Sequence, residues 1–146
     1  SNTLSKQFGG DPINDLTTLN KLADIYIIAV PDDAIEDIVK NIKIPNTAIL
    51  VHTSGSVGIN HLKHAAINYG SFYPLQTFKK NKPLDFKEIN LCVEGSSKET
   101  EQKIIALFEK WSGELVQDIK ALAPSASYRK YFRLTSETKT AVTQYH

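Results

Sequence analysis

The clearest pattern in the sequence is an aliphatic and β-branched run, residues 24–30, that ends at Pro31. A continuous apolar run of this length predicts a buried strand. After it, apolar residues recur at i, i+3, i+4 and i+7, namely Ile35, Ile38, Val39 and Ile42. This spacing predicts a helix with one apolar face, and Asp33 followed by Glu36 predicts a capping box at its start.

Strand and helix patterns continue to alternate as far as residue 119. Further strands are predicted at residues 48–51, 71–75, 89–93 and 115–119, with Pro74 near the end of the second. Further helices are predicted over residues 59–66 and after Ser96 or Ser97, the latter ending at Gly113. The order β-α-β-α-β-β-α-β predicts an α/β domain around a mainly parallel sheet.

The last part of the chain follows a different pattern. Residues 120–146 are rich in Ser and Thr, carry both arginines and show no clean apolar period. We expect a partly helical peripheral segment there, so that residues 1–119 form one domain and residues 120–146 a separate remnant. The chain contains no methionine and begins at Ser1, from which we expect a piece of a longer protein.

Composition narrows the class of protein. The chain has 146 residues, of which 41% are hydrophobic and 23% charged, values typical of one compact, soluble globular domain. No apolar stretch approaches the roughly 20 residues that cross a bilayer, so a membrane protein is not expected. A net charge of +1 with dispersed cations argues against a nucleic-acid partner. The single cysteine, Cys92, excludes an internal disulfide and a Cys-rich zinc site and indicates the cytoplasm.

Two loops at predicted strand ends are candidates for binding, because ligands of open α/β sheets lie outside the carboxyl ends of the strands. The first loop, Ala29 to Asp33, brings backbone close to any ligand across the strand ends. Alternatively, Pro31 simply enters the helix and Asp33 caps it.

The second loop, residues 52–58, is small, polar and glycine-containing. Its hydroxyls and backbone donors suit a ribose, a carboxamide or a carboxylate, and a helix start at Ser56 would add a positive dipole. An ordinary strand-to-helix connection capped by Ser56 is the alternative. His52 is interpreted as an oriented or half-buried polar residue rather than a general base, because no acidic partner can be assigned to it.

Other chemistry finds little support in the sequence. His61 and His64 lie three residues apart without a third ligand nearby, so no metal site is expected. Ser54 lacks the Gly-x-Ser-x-Gly setting of a hydrolase nucleophile. Neither glycine-rich phosphate-binding motif occurs in the chain. The residues alone therefore predict an α/β domain with a polar ligand cleft.

Three segments, taken jointly and in order, resemble a known family: residues 23–33, 51–56 and 72–78. They look like bacterial Rossmann-like proteins of the DUF2520 type, which are similar in turn to pyrroline-5-carboxylate reductase, prephenate dehydrogenase and the NADP-dependent F420 oxidoreductases. The resemblance covers about residues 3–119. It implies a Rossmann-like domain whose first strand, glycine loop and first helix lie upstream of this chain, and a helical, dimer-forming domain after it.

The resemblance also implies roles for residues of both loops. It places the cofactor along Ala29, Val30, Pro31, Asp32, Thr53 and Gly55, and the substrate along Ser56, Tyr73, Pro74 and Gln76. Tyr73 and Pro74 stand where prephenate dehydrogenase-like sequences carry a His-Pro pair facing substrate, so tyrosine replaces histidine here. We place Ser54 and His52 nearest to the reacting atoms as catalytic candidates, because they end the strand that points into the cleft.

The sequence therefore predicts an NAD(P)-dependent oxidoreductase, with NADP the favoured cofactor, that transfers a hydride to or from a small imine or carbonyl substrate. A cytoplasmic homodimer with a small-molecule substrate, and without nucleic-acid or membrane partners, is expected. Two alternatives stay open: a non-catalytic nucleotide-binding regulatory module, and a structural half-domain that dimerises.

Overall fold

The computed structural model describes Ser5 and residues 9–74, 91–113, 118–121, 130–135 and 140–145, the last three ranges by their backbone. The strands, in chain order, are β1 Ile25–Ile28, β2 Ile49–His52, β3 Asn68–Pro74, β4 Leu91–Gly95, β5 Asp118–Ala121, β6 Lys130–Thr135 and β7 Thr140–Tyr145. The α-helices are α1 Asp32–Asn41 and α2 Lys98–Ser112, and two short 3₁₀ helices are Leu16–Thr18 and Ile59–Leu62.

The seven strands form one sheet in the order β1-β2-β3-β4-β7-β6-β5. β1, β2 and β3 run parallel, and β4 is antiparallel to β3. This mixed, mainly parallel four-strand part confirms the predicted α/β class. β3 ends at Pro74, which lacks a backbone N–H and so suits the end of a strand.

Each face of the four-strand part buries its own apolar cluster. On the α1 face, Tyr26, Ile28 and Leu50 from the sheet pack with residues that include Ile35 and Leu62. On the α2 face, the buried residues are Ile49, Val51, Val93 and Ile104. Because both faces of β2 are covered, its four residues are all buried, and its first three are consecutive apolar residues rather than alternating ones.

The start of α1 differs from the predicted capping box. The residue before the helix is Pro31, which makes no side-chain capping bond, and Asp32 and Asp33 both lie in the first turn. Proline suits this position because its fixed φ is compatible with helix entry. Asp33 is therefore inside the helix, and the carboxylate of Asp32 accepts a hydrogen bond from Ser56.

The helix predicted over residues 59–66 is reduced to a 3₁₀ helix, Ile59–Leu62, which follows Gly58. Ile59 and Leu62 are both buried, and a spacing of three residues matches the 3₁₀ period. Ser56 is not a helix start, so the dipole expected there is absent. The predicted caps of the other helix are confirmed: Ser97 accepts from the N–H of Thr100 before α2, and Gly113 ends α2 at φ 74°.

The segment after residue 119 was expected to be partly helical, but its described parts are strands. β6 is antiparallel to both β5 and β7, and β7 is parallel to β4. Aromatic and β-branched residues, which favour strands, are frequent in β6 and β7. The predicted division at residue 120 into a second domain stays a prediction.

β1 is the edge of the described sheet on the side away from β2. The carbonyls of Asp24 and Ile28 accept N–H groups of the β2 strand and of Thr53 after it. Since backbone direction alternates along a strand, the N–H and C=O groups of Ile25 and Ile27 point away from β2. The Ile27 side chain is 53% exposed on the α2 face.

Candidate functional site

Because β1 and β2 are parallel neighbours, the loops that follow them leave the sheet side by side. We call residues 29–31 the β1 loop and residues 53–58 the β2 loop. The N–H of Thr53 donates to the carbonyl of Ile28 at 3.1 Å and ties the two strand ends together. The loops therefore lie side by side at the carboxyl ends of the strands, where α/β sheets bind ligands, and we call the region between them the crevice.

Asp32, at the start of α1, is joined to the β2 loop by serine hydroxyls. Ser56 Oγ donates to the carboxylate of Asp32. Hydrogen bonds from Ser56, and secondly from Ser54, hold the pKa of Asp32 below its ordinary value. The crevice thus presents an exposed, ionised carboxylate, an acceptor suited to the hydroxyls of a sugar.

Ser54 organises the backbone of the β2 loop. Its Oγ accepts the N–H of Ser56 at 3.1 Å and the N–H of Val57 at 3.0 Å. The residue is only 8% exposed. A serine used in this way fixes a turn, so Ser54 shapes the loop that carries Ser56 to Asp32.

His52 lies beneath the β2 loop. The residue is 0% exposed, so of the two interpretations from the sequence, oriented or half-buried, the structure favours the first. Its Nδ1 accepts the backbone N–H of Ser54 at 3.2 Å. In a neutral imidazole with Nδ1 as acceptor, the proton resides on Nε2. The complete burial favours a role in holding the loop over direct contact with a ligand.

Tyr73 closes one side of the site from β3. A Cβ placed on Gly55 would lie 2.5, 2.8 and 2.9 Å from three carbons of the Tyr73 ring. The ring therefore packs directly on the β2 loop, and a side chain at position 55 would require the ring to move. Pro74 follows at the end of β3, and the predicted substrate residue Gln76 lies outside the described residues.

The predicted cofactor residues are distributed over both loops. Ala29, Pro31, Asp32 and Gly55 are exposed, while Val30 and Thr53 are half-buried. Ala29 and Val30 also line an apolar groove of about 500 Å³ along the outer side of β1 and against α1. The groove is separate from the Asp32–Ser56 contact, so the β1 loop offers surface on two sides.

Two buried polar residues of this region were missed from the sequence: Ser71 on β3 and Glu94 on β4, which are 6% and 2% exposed. Ser71 is the register partner of His52, and Glu94 is the register partner of Ser71. The only sequence signal was a glutamate directly after an apolar run. Which strands lie beside it depends on sheet order, which the sequence did not supply.

The residues of the crevice suit the ribose and ring of a dinucleotide but not its phosphates. The carboxylate of Asp32 suits ribose hydroxyls, and the small exposed residues of both loops leave space for a flat ring. Phosphates fit poorly, because Asp32 and Asp33 already occupy the first turn of α1 and would repel an anion.

Two further features concern the described residues as a whole. Within them, no group of three or more His, Cys, Asp or Glu is arranged to hold a metal ion. His61 and His64 are exposed, near the 3₁₀ helix Ile59–Leu62. Over the same part of the chain, no helix combines the length and apolar character that a membrane span requires.

The fold and the crevice define an α/β domain of the Rossmann-like class, and comparison with solved structures agrees. The chain is similar to the crystal structure of the putative NADP oxidoreductase BF3122 from Bacteroides fragilis, with 33% identity over 73% of this chain and a TM-score of 0.66. It spans 42% of the length of that protein.

A second similar structure is protein TM1727 from Thermotoga maritima, with a TM-score of 0.55 and 22% identity. The match covers 74% of this chain and 40% of that protein, and at this identity it supports the fold alone. No family model and no curated protein matches the chain.

Proposed function

We propose that this chain contributes the nicotinamide side of an NADP-dependent oxidoreductase of the DUF2520 type. Its reaction would be hydride transfer between the cofactor and a small imine or carbonyl substrate. The observation that carries the proposal is the shared crevice of the β1 and β2 loops, with the Asp32 carboxylate fixed by Ser56. The 33% identity to BF3122 supports the choice of cofactor.

The proposal gives separate tasks to the residues of the site. Asp32 accepts hydrogen bonds from the ribose hydroxyls, and Ser56 orients its carboxylate. Thr53 and Gly55 form the wall beside the ring, while Ser54 and the buried His52 hold that wall in place. The nicotinamide, when bound, supplies or accepts the hydride. Tyr73 is the residue we assign to donate a hydrogen bond to the substrate oxygen or nitrogen.

A non-catalytic nucleotide-binding module is the second candidate function. It is favoured by the hydrogen bonds of the β2 loop, in which the Oγ of Ser54 and the Nδ1 of His52 both act as acceptors. Tyrosine at position 73, where related sequences carry histidine, points the same way. Oxidation of NADPH by the full-length protein, with small imines and ketones as acceptors, distinguishes the candidates.

Calorimetric titration of the full-length protein with NADPH and NADH tests the binding site itself. Asp32→Ala removes the proposed ribose acceptor and is expected to weaken binding by about tenfold or more, the effect of losing a hydrogen bond to a charged group. Asp33→Ala is the matched control, because Asp33 occupies the same helical turn.

The control variant is expected to retain the affinity of the unaltered protein. Equal effects of the two substitutions would contradict the assignment of Asp32, and failure of both dinucleotides to bind would contradict the proposed function. The substrate class, the homodimer and the cytoplasmic location stay predictions.

A further inference from the structure

A polar groove outside the crevice lies between α1 and the short segment that follows the β2 loop. Its volume is about 500 Å³. Asp32 and Ser56 are not among the residues that line it. The polar side chains that line it come from both elements and are Glu36, Lys40, Asn60, His61, Lys63 and His64. We call these six residues the histidine groove.

The 3₁₀ period of the segment explains which of its side chains face the groove. Ile59 and Leu62 are buried, and Ala65 packs against the core on the α1 face. The N–H of Ala65 donates to the carbonyl of Leu62 at 2.9 Å, so the three-residue period continues past the helix end. The polar residues at positions 60, 61, 63 and 64 lie between these inward positions, and all four are exposed.

The basic side chains of the segment are not neutralised by the carboxylate of the groove. Glu36 is the one acidic residue among the described residues that line the groove. Its carboxylate lies 3.0 Å from Nζ of Lys40, so these two opposite charges already form a pair on α1. Within the part of the chain that the structure describes, the side chains of the segment's basic residues form no hydrogen bond or ion pair; these residues are His61, Lys63 and His64.

These three side chains suit an anion rather than a cation. Lysine supplies N–H donors and no acceptor, and a protonated imidazole donates from both nitrogens. A metal ion needs a larger set of ligands. Among the described residues, no three His, Cys, Asp or Glu are arranged to hold one. A phosphate group carries close to two negative charges and three strong acceptor oxygens, which matches several donors that converge on one groove.

We propose that the histidine groove binds a phosphate group, held by Lys63 and by the protonated imidazoles of His61 and His64. Asn60 adds the N–H donors of its amide. The proposal goes beyond the oxidoreductase function proposed above and does not depend on it. The phosphate group belongs either to a separate small molecule or to NADP, whose 2′-phosphate distinguishes it from NAD.

Titration with inorganic phosphate, followed by NMR of the histidine rings, tests the groove. The chain has four histidines, and the buried His52 serves as the internal reference. Ionic strength is held constant with chloride, so that screening of exposed charges does not change during the titration. We expect saturable shifts of the His61 and His64 signals that exceed those of His52. Shifts that do not saturate, or equal shifts at His52, overturn the proposal.

Two lysine substitutions separate binding in the groove from the effect of net charge. Lys63 lines the groove, whereas Lys110 is exposed on α2, which packs on the other face of the sheet. We expect Lys63→Gln to weaken phosphate binding by about two- to fivefold, the size of one exposed charged contact. The double variant with His64→Gln is expected to weaken it by about tenfold.

Lys110→Gln removes the same charge and is expected to leave the affinity for phosphate unchanged. Equal weakening by Lys63→Gln and Lys110→Gln would show an effect of net charge alone and would overturn the proposal.

The pH dependence of sulfate binding tests the role of the imidazoles, because sulfate stays a dianion near neutral pH. Imidazoles gain their charge between about pH 8 and pH 5, whereas carboxylates and ammonium groups keep theirs. We expect sulfate to bind more tightly at about pH 6 than at about pH 8. Equal affinity at the two pH values overturns the assignment of His61 and His64. The other charged groups at the groove are Glu36, Asp37, Lys40 and Lys63.

NADPH and NADH distinguish the two sources of the phosphate group. Shifts of His61 and His64 with NADPH and not with NADH assign the groove to the 2′-phosphate of the cofactor. Shifts with inorganic phosphate and with neither dinucleotide assign it to a separate phosphorylated ligand. Failure of both dinucleotides to bind anywhere defeats the proposed oxidoreductase function, while the titration with inorganic phosphate still decides the groove.

Discussion

The contact between Gly55 and Tyr73 allows a prediction whose sign depends on the neighbouring residue. Gly55 has no positive φ, so its backbone conformation is open to alanine. At such a position, Gly→Ala stabilises a protein by about 0.4–1 kcal/mol through the unfolded state. Here, however, the added Cβ meets the Tyr73 ring at 2.5 to 2.9 Å, and overpacking of this kind costs about 1–3 kcal/mol.

Tyr73 is half-buried, so its ring can rotate toward solvent, and we take the lower part of that range. With an overpacking cost of about 1–2 kcal/mol, Gly55→Ala is then expected to destabilise the unaltered protein by up to about 1.5 kcal/mol net. In a Tyr73→Leu background the three ring carbons are gone, and the same substitution is expected to stabilise by about 0.4–1 kcal/mol. The coupling between the two positions is about 1–2 kcal/mol.

Urea unfolding of the four proteins in this cycle measures the coupling, because shifts of the midpoint at constant slope give the differences in free energy. The reasoning is refuted if Gly55→Ala has the same effect with and without the Tyr73 ring. It is also refuted if the single substitution stabilises the unaltered protein, since the ring would then not press on the β2 loop.

Three further predictions concern named groups. The carboxyl of Asp32 should titrate below its ordinary pKa in a ¹³C-detected NMR experiment, and Ser56→Ala should raise that pKa, because Ser56 is the principal hydrogen-bond donor to Asp32. The hydrogen bonds to the Asp32 carboxylate stabilise the fold at pH values above the pKa of the unfolded state, and this stabilisation is lost as the pH falls through the pKa of the folded state. Burial raises the pKa of Cys92 to about 12, so a thiol reagent at mildly alkaline pH should label it in denaturant and not in the folded protein; rapid labelling of the native state would contradict its burial. Ser97→Ala removes the side chain that accepts the N–H of Thr100 and should lower the free energy of unfolding by about 1 kcal/mol. An unchanged free energy of unfolding would show that the Ser97 cap does not stabilise α2.

The helices and strands around the crevice were predictable where the local pattern of apolar residues determines the type of element. The apolar stripe of α1 matches a helix face that packs on the sheet, and the apolar run at residues 24–30 marks a strand. The run predicted a buried strand, but β1 lies at the edge of the described sheet and its Ile27 is exposed. The 3₁₀ helix Ile59–Leu62 was not predicted, because two buried residues three apart fit an α-helical and a 3₁₀ period equally well. Local pattern could not decide between them.

Only some of the polar residues of the site could be predicted from the sequence. Ser54, Ser56 and Asp32 stand in loops directly after strands, and the parallel pairing of those strands brings the loops together. Ser71 and Glu94 join His52 through registers between strands that are distant in the chain. Such registers depend on long-range pairing, which composition and periodicity do not encode.

The outer side of β1, which no described strand covers, has a consequence for handling the protein. A row of outward N–H and C=O groups, flanked by the exposed Ile27, is a template on which another β-segment can hydrogen-bond. Colloidal stability of the 146-residue polypeptide will therefore fall with concentration unless that row is occupied. Natural sheets often carry lysine on an edge strand, where its charge opposes pairing with another sheet. Ile27→Lys is therefore expected to reduce self-association, which sedimentation velocity measures.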